Sequence, residues 1–473
     1  MHERIAMAIA LTGLCAWAFW QRCSILFADP YPVGIDGYFY AIQLRSVTDT
    51  GHLYYASSPL ALWLMAPFAW LSDPIAGAKL GAAAGGALLA LPVYVLGRRL
   101  GGGDRSVGLL AATLAVASAQ SLYVSAEFVK SDIGLTVLAT FLCALYAALD
   151  RPSRLRIGLA VAAFAATLLT HELAAGLALM WAATVLFSRA NRWQRGAIVA
   201  AGAVATVAAF VLLDRNPLRS AADFTLPALA APGMPPLRFG HETAIAAVLA
   251  VAALALCLRP SSSQRAAIVG PAAFALVAAI PWLDVGDPQG LAFRLRVVTF
   301  LPLALLVAWL AGQVAAHLTP YVRGALFVGF AAGWILSRPV AEVREGVVHT
   351  HPAMQLAARA VAGRVPDDGV IITPSRQVMF MVTWYTRVPA RLHPANVPPA
   401  RRWRLLTYPL IQSSKPLQRA LRRARTDAAV ARPQGLHPGS IDGLVLMPEA
   451  TWQWLLQRLP EAERHELEPW RIY

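Results

Sequence analysis

The sequence predicts a polytopic α-helical membrane protein of about eleven transmembrane helices with a small α/β domain at its carboxy-terminal end. Of its 473 residues, 57% are hydrophobic and only 14% are charged, and the mean hydropathy is +0.53. A soluble domain of this length could not bury so much apolar surface, so lipid must cover much of it. The apolar residues also fall in runs of membrane-crossing length. Beyond residue 338 those runs shrink to strand length. A membrane domain is therefore assigned to 1–338, with an outer loop at 28–73, and a soluble extracytoplasmic domain to 339–473.

The first run, Ile5 to Phe27, follows His2 and Arg4 as a secretory signal would. It is too long for a signal's apolar core and carries Trp17 and Trp20, which suits a retained anchor helix. Ser58 to Leu71 is apolar but too short to span, and it holds Pro59 and Pro67, as an interfacial segment would. The later runs are Pro74 to Leu96, Ser106 to Tyr123, Ile133 to Leu149, Ile157 to Thr170, Leu173 to Phe187, Gly196 to Leu213, Thr243 to Leu258, Ala266 to Leu283, Val297 to His317 and Gly324 to Leu336. Several fall short of the roughly 20 residues of a perpendicular span, so their boundaries extend further or neighbours thin the bilayer around them. Gly101-Gly102-Gly103 has no strand before it and is a turn, not a phosphate loop. Gly81 to Gly86 suits close helix packing. Cys15, Cys23, Cys143 and Cys257 lie inside hydrophobic runs, with no disulfide framework or zinc spacing. Lysine occurs only at Lys79, Lys130 and Lys415 amid abundant alanine and arginine, the composition of a GC-rich bacterial genome.

Arginine sets the direction. With a cytoplasmic amino terminus, the loops holding Arg98, Arg99 and Arg105, then Arg151, Arg154 and Arg156, then Arg189, Arg192 and Arg195, then Arg259 and Arg265, then Arg323, all fall inside, as the positive-inside rule requires. The alternate loops hold Asp36; Glu127, Lys130 and Asp132; His171 and Glu172; Asp214 to Glu242; and Asp284, Asp287, Arg294 and Arg296. This places the polar candidates on the outer face of a bacterial inner membrane, with the tail outside too. In the tail, Gly369 to Pro374 and Gly443 to Pro448 have strand patterning, while Met354 to Val365 and Thr451 to Leu459 are helical. Its arginines, including Arg401, Arg402, Arg404, Arg419, Arg422, Arg423 and Arg425, supply much of the formal charge of +15. An extracytoplasmic domain has no nucleic acid to meet, so they contact anionic head groups or a phosphate-bearing substrate, or form a solvated helix face.

Asp36 stands in Gly34-Ile35-Asp36-Gly37-Tyr38-Phe39-Tyr40, directly after the first span and before Gly51-His52-Leu53-Tyr54-Tyr55 and Ser58-Pro59-Leu60. A carboxylate ringed by aromatics at a bilayer surface is costly, which marks it for work. The plain alternative is a loop acid serving local hydrogen bonds. Asp132 in Glu127-Phe128-Val129-Lys130-Ser131-Asp132 is a second candidate, or a helix N-cap. His171 and Glu172 either serve the site or cap two short helices. Arg294 and Arg296 suit phosphate recognition through charge-assisted bonds, and equally suit anchoring by snorkelling. At i and i+2 they point to different sides of a helix. Tyr38, Tyr40, Tyr54 and Tyr55 suit stacking on a ligand or an interfacial aromatic belt.

The arrangement resembles the GT-C superfamily of membrane glycosyltransferases, which includes protein mannosyltransferases, aminoarabinose transferases of lipid A and oligosaccharyltransferase catalytic subunits. The resemblance covers roughly the whole membrane part and rests on two short motifs. The family's first outer loop carries an essential acid with aromatics, then a Gly and a Pro-Leu segment; here Asp36-Gly37-Tyr38-Phe39-Tyr40, Gly51 and Pro59-Leu60 stand in those places. Its second outer loop presents an acid just before a helix, matched by Glu127 to Leu135. Nothing in the tail matches the Trp-Trp-Asp motif of the oligosaccharyltransferases, so transfer of a single sugar from a polyprenyl phosphate is the better match.

That resemblance implies a glycosyltransferase with catalytic Asp36, Asp132 and Glu127. Asp36 would take the proton from an acceptor hydroxyl as it attacks the anomeric carbon, in one inverting displacement. Arg294 and Arg296, with Lys130, would meet the lipid phosphate. Glu127 and Asp132 would orient the sugar or Asp36, or join Asp36 in an oxygen-rich site for a divalent cation such as Mg or Mn. Tyr38, Tyr40, His171 and Glu172 complete the expected substrate contacts. The donor is a polyprenyl-phosphate sugar, because nucleotide sugars are not at hand on the outer face. The acceptor is a lipid, a glycan or a protein, chosen by the loop from Arg215 to His241 and the basic tail. Two other classes compete: a transporter or lipid flippase, which would carry mid-membrane charges and paired repeats, and a non-catalytic membrane scaffold.

Overall fold

In the computed structural model the chain forms two compact units. The described residues are 2–189, 193, 240–257, 265–279, 291–336, 340–347, 361, 364–373, 376–392, 394, 397–407, 415, 418 and 444–457. The expected span Gly196 to Leu213, the Arg215 to His241 loop up to residue 239, Asp284, Asp287 and the arginines from Arg419 to Arg425 lie outside them.

The first unit comprises Met1–Ala28, Ala56–Leu71 and Ala78–Val347. Its helices are α1 (His2–Leu26), α3 (Leu60–Leu71), α4 (Pro74–Leu88, from Ala78 on), α5 (Ala90–Leu100), α6 (Arg105–Ala117), α7 (Ala119–Glu127), α8 (Val129–Asp150), α9 (Arg154–Thr170), α10 (Glu172–Arg189), α11 (Gly240–Cys257), α12 (Arg265–Ala279), α13 (Leu291–Arg296), α14 (Phe300–Ala315), α15 (Pro320–Leu336) and α16 (Val340–Gly346); α2 (Gly37–Thr50) belongs to the second unit. Among the described residues five helices are long and apolar enough to cross a membrane, or six if the bent pair α6 and α7 is one span. At 1.5 Å per residue the 22 residues of α8 reach about 33 Å, a full hydrocarbon core. The 12 residues of α3, with Pro67 inside, reach only about 18 Å. Trp181, Phe274 and Phe300 are fully buried, while Ile9, Trp20, Leu155 and Val161 stay exposed, the pattern of helices that pack on one side and meet lipid on the other.

Ser106 to Tyr123, expected as one span, is two helices bent by 49°. The break is at Ser118, whose extended backbone ends α6 and starts α7. Broken helices survive in membranes only where the freed backbone groups find partners. Here Ser118 Oγ accepts from the Ser121 amide at 3.2 Å and donates to the Glu242 carboxylate, which also takes the Ala119 amide at 3.1 Å. Gln120 donates to Thr243 Oγ1 at 2.9 Å and accepts from the Thr299 hydroxyl at 3.0 Å and the Phe300 amide at 3.1 Å. One buried polar network thus holds α7, α11 and α14 around the bend.

The arginines of alternate loops gather at one end of this unit, where acids hold them. Arg99 bonds both oxygens of Asp150, and Arg189 lies 3.6 Å from the same carboxylate. Arg323 pairs with Asp104 at 2.7 Å. Asp104 itself caps α6, accepting from the Ser106 and Val107 amides at 2.8 and 3.3 Å.

The second unit comprises Asp29–Tyr55, Ser72–Gly77 and Val348–Tyr473. The loop that bears Asp36 therefore belongs with the tail. Its sheet has the order β2-β1-β3-β4, with strands β1 (Val370–Ile372), β2 (Ala390–Arg391), β3 (Arg402–Thr407) and β4 (Leu444–Pro448). β1 pairs in parallel with β2 and β3, with Ile371 opposite both Ala390 and Trp403; β3 and β4 are antiparallel, with Leu405 opposite Leu446. Helix α17 (Arg376–Thr386) makes the crossover that parallel β1 and β2 require, and α18 (Glu449–Gln457) follows β4. Arg404, part of the basic run, lies in β3 rather than on a solvated helix face. It is buried and bonds Glu449 at 2.6 and 3.1 Å. Burial alone would raise the Glu449 carboxyl, but the bonds from Arg404 and Gln453 hold it below the usual carboxylate range.

Candidate functional site

The candidate residues divide between the units. Asp36, Tyr38 and Tyr40 belong to the second; Glu127, Lys130, Asp132, His171, Glu172, Arg294 and Arg296 belong to the first.

In the second unit, α2 packs on α17. Asp36 occupies the N-cap position of α2 but makes no side-chain cap bond, unlike Asp104, so its carboxylate does not serve local structure. Its Oδ1 is buried and accepts no hydrogen bond among the described residues, and Arg376 Nε lies 3.4 Å from it. The helix pair is held by aromatics: Phe39 and Phe380 have ring centroids 5.2 Å apart, and Tyr38 and Tyr385 share a hydroxyl contact of 3.0 Å. Arg45 stacks 4.4 Å over the Trp384 ring and donates to the Trp384 carbonyl at 3.0 Å. Gly51 takes the left-handed conformation that closes α2, at φ 72°. Gln43 then binds the returning chain, accepting from the Tyr54 and Tyr55 amides at 2.8 and 3.1 Å and donating to the Tyr55 carbonyl at 2.8 Å. Tyr55 donates to Thr383 at 3.2 Å; burial pushes its phenol up to about 12, which keeps it a donor. Tyr38 and Tyr40 are buried in this cluster, with the Tyr40 ring edge-on to Phe39 at 5.4 Å.

In the first unit the turn from α7 to α8 runs through Phe128 and carries Glu127, buried, and Lys130. Lys130 Nζ donates to Ser57 Oγ at 2.6 Å. His171, extended between α9 and α10, accepts the Leu173 amide on Nδ1 at 3.1 Å. Burial, then the charges of Lys130 and Arg294, pushes its imidazole down to about 3. It is therefore neutral, with its proton on Nε2 and a donor to spare. Arg294 lies 5.1 Å over the Phe128 ring and forms no ion pair among the described residues. Its neighbour Arg296 offers its carbonyl to Thr243 at 3.2 Å. Glu172 is exposed in the first turn of α10, where an acid complements the helix dipole.

Asp132 is fully buried, one turn inside α8. Its Oδ2 accepts from Ser125 Oγ at 2.6 Å, while its Oδ1 accepts none among the described residues. The countercharge is Arg22 of α1, also fully buried, which donates to Ser125 at 2.8 Å, to Ser121 at 2.7 Å, and to the Ala18 and Val116 carbonyls at 3.2 and 3.3 Å. Gly86 of α4 leaves the room: a Cβ there would collide with Asp132, Arg22 and Ser125 together. Arg22 was legible as an arginine inside an apolar run, an expensive placement that calls for a partner. Arg376 had no such signal, being one arginine of a basic tail. Among the described residues no group of three or more His, Cys, Asp or Glu gathers to hold a metal.

No protein-family model and no curated protein sequence matches the chain. Among solved structures, ArnT from Cupriavidus metallidurans bound to undecaprenyl phosphate is similar over 86% of this chain and 94% of its own, with a TM-score of 0.56 and 13% identity. The chain thus shares the fold of that structure.

Proposed function

We propose that this GT-C-like membrane protein transfers a sugar from a polyprenyl-phosphate donor to an acceptor hydroxyl at the outer face of a bacterial inner membrane. The observation that carries the reading is the grouping of Lys130, Arg294 and neutral His171: Arg294 lies 5.1 Å over the ring of Phe128, which starts the helix bearing Lys130, and the charges of both reach the His171 imidazole. Two cations and an Nε2–H donor suit an anion bearing several oxygens, and a phosphodiester becomes more negative as its sugar leaves. The similar ArnT structure holds undecaprenyl phosphate, a ligand with that chemistry.

Asp36 serves as the base. Its carboxylate takes the hydroxyl proton as the acceptor oxygen bonds to the anomeric carbon; the carbon–oxygen bond to phosphate breaks with inversion, and the phosphate keeps the electron pair. Within the first unit, Lys130 and Arg294 suit a phosphate by charge and His171 offers it a hydrogen bond. The extracytoplasmic placement of the tail rests on arginine asymmetry among the loops.

The test is purified protein supplied with polyprenyl-phosphate sugars. Wild type transfers sugar, and Asp36→Asn loses at least about 100-fold in rate. Undiminished transfer by Asp36→Asn removes the base. Wild-type protein that transfers from no such donor overturns the whole reading.

A further inference from the structure

We propose that Arg376, the first residue of α17 in the carboxy-terminal region, is a positioning residue for Asp36; this rests on the reading of Asp36 as the base. The carboxylate at the start of α2 does no capping, and its Oδ1 is buried without a hydrogen bond among the described residues. Arg376 Nε stands 3.4 Å from that same oxygen. The separation is short enough for Coulomb attraction and longer than a good hydrogen bond. The arginine therefore holds the orientation of the carboxylate while leaving Oδ1 its lone pairs. A base needs that combination, because an oxygen already engaged by a donor has less capacity for the acceptor's proton.

Two further features fix Arg376 in place. Its guanidinium lies 5.5 Å over the Phe380 ring, and Phe380 packs on Phe39 of α2, so the face that seats the acid's helix also seats the arginine. The side chain of Arg376 is 55% exposed while that of Asp36 is 19% exposed. Replacing the arginine thus removes charge without opening the core.

The experiment compares wild type, Arg376→Ala, Arg376→Lys and Asp36→Asn as full-length purified proteins, with a polyprenyl-phosphate sugar as donor and melting temperature as a folding check. Arg376→Ala is expected to lose roughly tenfold in kcat, a fraction of the ~10²–10⁴ of the base itself, with the donor KM within about twofold of wild type. Arg376→Lys is expected to recover most of the loss. Wild-type or raised kcat in Arg376→Ala overturns the proposal. A loss confined to donor KM also overturns it, since that marks a donor contact. A loss that lysine does not restore, with wild-type melting, counts against it equally. If Asp36→Asn transfers sugar normally, the base assignment fails instead; an inactive Asp36→Asn beside a fully active Arg376→Ala fails Arg376 alone.

Discussion

Lys130 donates to Ser57 across 2.6 Å and 73 residues of sequence, so the turn between α7 and α8 is pinned to the segment leading into α3. The bond fixes where the ammonium stands. Lys130→Met is expected to weaken binding of polyprenyl phosphate by about 10–100-fold, the worth of a charge-assisted bond of ~1.5–3 kcal/mol. Ser57→Ala keeps the charge and loosens it, costing about threefold. Titration of the lipid phosphate into purified protein measures both, and equal affinities in all three proteins would exclude Lys130 as a ligand.

The Arg22–Asp132 pair depends on an absent methyl group. Gly86→Ala is expected to cost about 2–4 kcal/mol in stability, by overpacking and by parting a buried charge pair. Gly158→Ala, where a Cβ meets nothing within 4 Å, is expected to be neutral or slightly stabilising. Replacing Arg22 by Met together with Asp132 by Leu should cost less than Arg22→Met alone, because the single change strands a buried carboxylate. Unfolding in detergent ranks the four variants.

His171 makes stability depend on pH. Its folded-state pKa lies at about 3, below the ordinary imidazole value of about 6.5. Between those values the unfolded chain binds a proton that the folded chain refuses, so stability falls as pH drops below 6.5 and the loss continues toward 3. Melting temperatures from pH 7.5 to 4.5 should decline, and His171→Gln should flatten part of that slope. A slope unchanged by the substitution would show that other groups carry it.

Much of this architecture was legible because a bilayer imposes long apolar runs, and α1, α8, α10 and α14 fall where hydropathy places them. The bend at Ser118 was not legible, because the residues that satisfy it, Glu242, Thr243 and Thr299, come from distant helices. Strand β3 was hidden for a related reason: Arg402 and Arg404 read as a solvated basic run until Glu449 supplies the partner that buries Arg404. Asp36, Lys130, His171 and Arg294 stood out as costly polar residues beside apolar spans. The same logic applied to Arg22 within the first run would have found the countercharge of Asp132. The attachment of residues 29–55 to the tail had no local signal, since it is made by aromatics that membrane loops carry for other reasons.

Arg387 closes α17 at φ 61°, the one non-glycine residue with positive φ among the described residues. A left-handed cap strains a side-chain-bearing residue. Burial and the like charge of Arg387 both lower the Arg45 guanidinium, so the substitution Arg387→Gly relieves strain and repulsion together. It is expected to stabilise by about 0.5–1 kcal/mol in denaturant unfolding, whereas Arg387→Val should destabilise.

Tyr38 meets Tyr385 across 347 residues of chain, which sets an order of events during synthesis. At ~5–20 residues per second, the helix that starts after Asp36 waits about 20–70 s for its partner to leave the ribosome. Through that wait its aromatic side has no cover and the acid has no arginine beside it. A chain cut short before Arg376 can insert its spans yet lacks the helix on which α2 is seated, so translation to the end is itself the step that arms the protein.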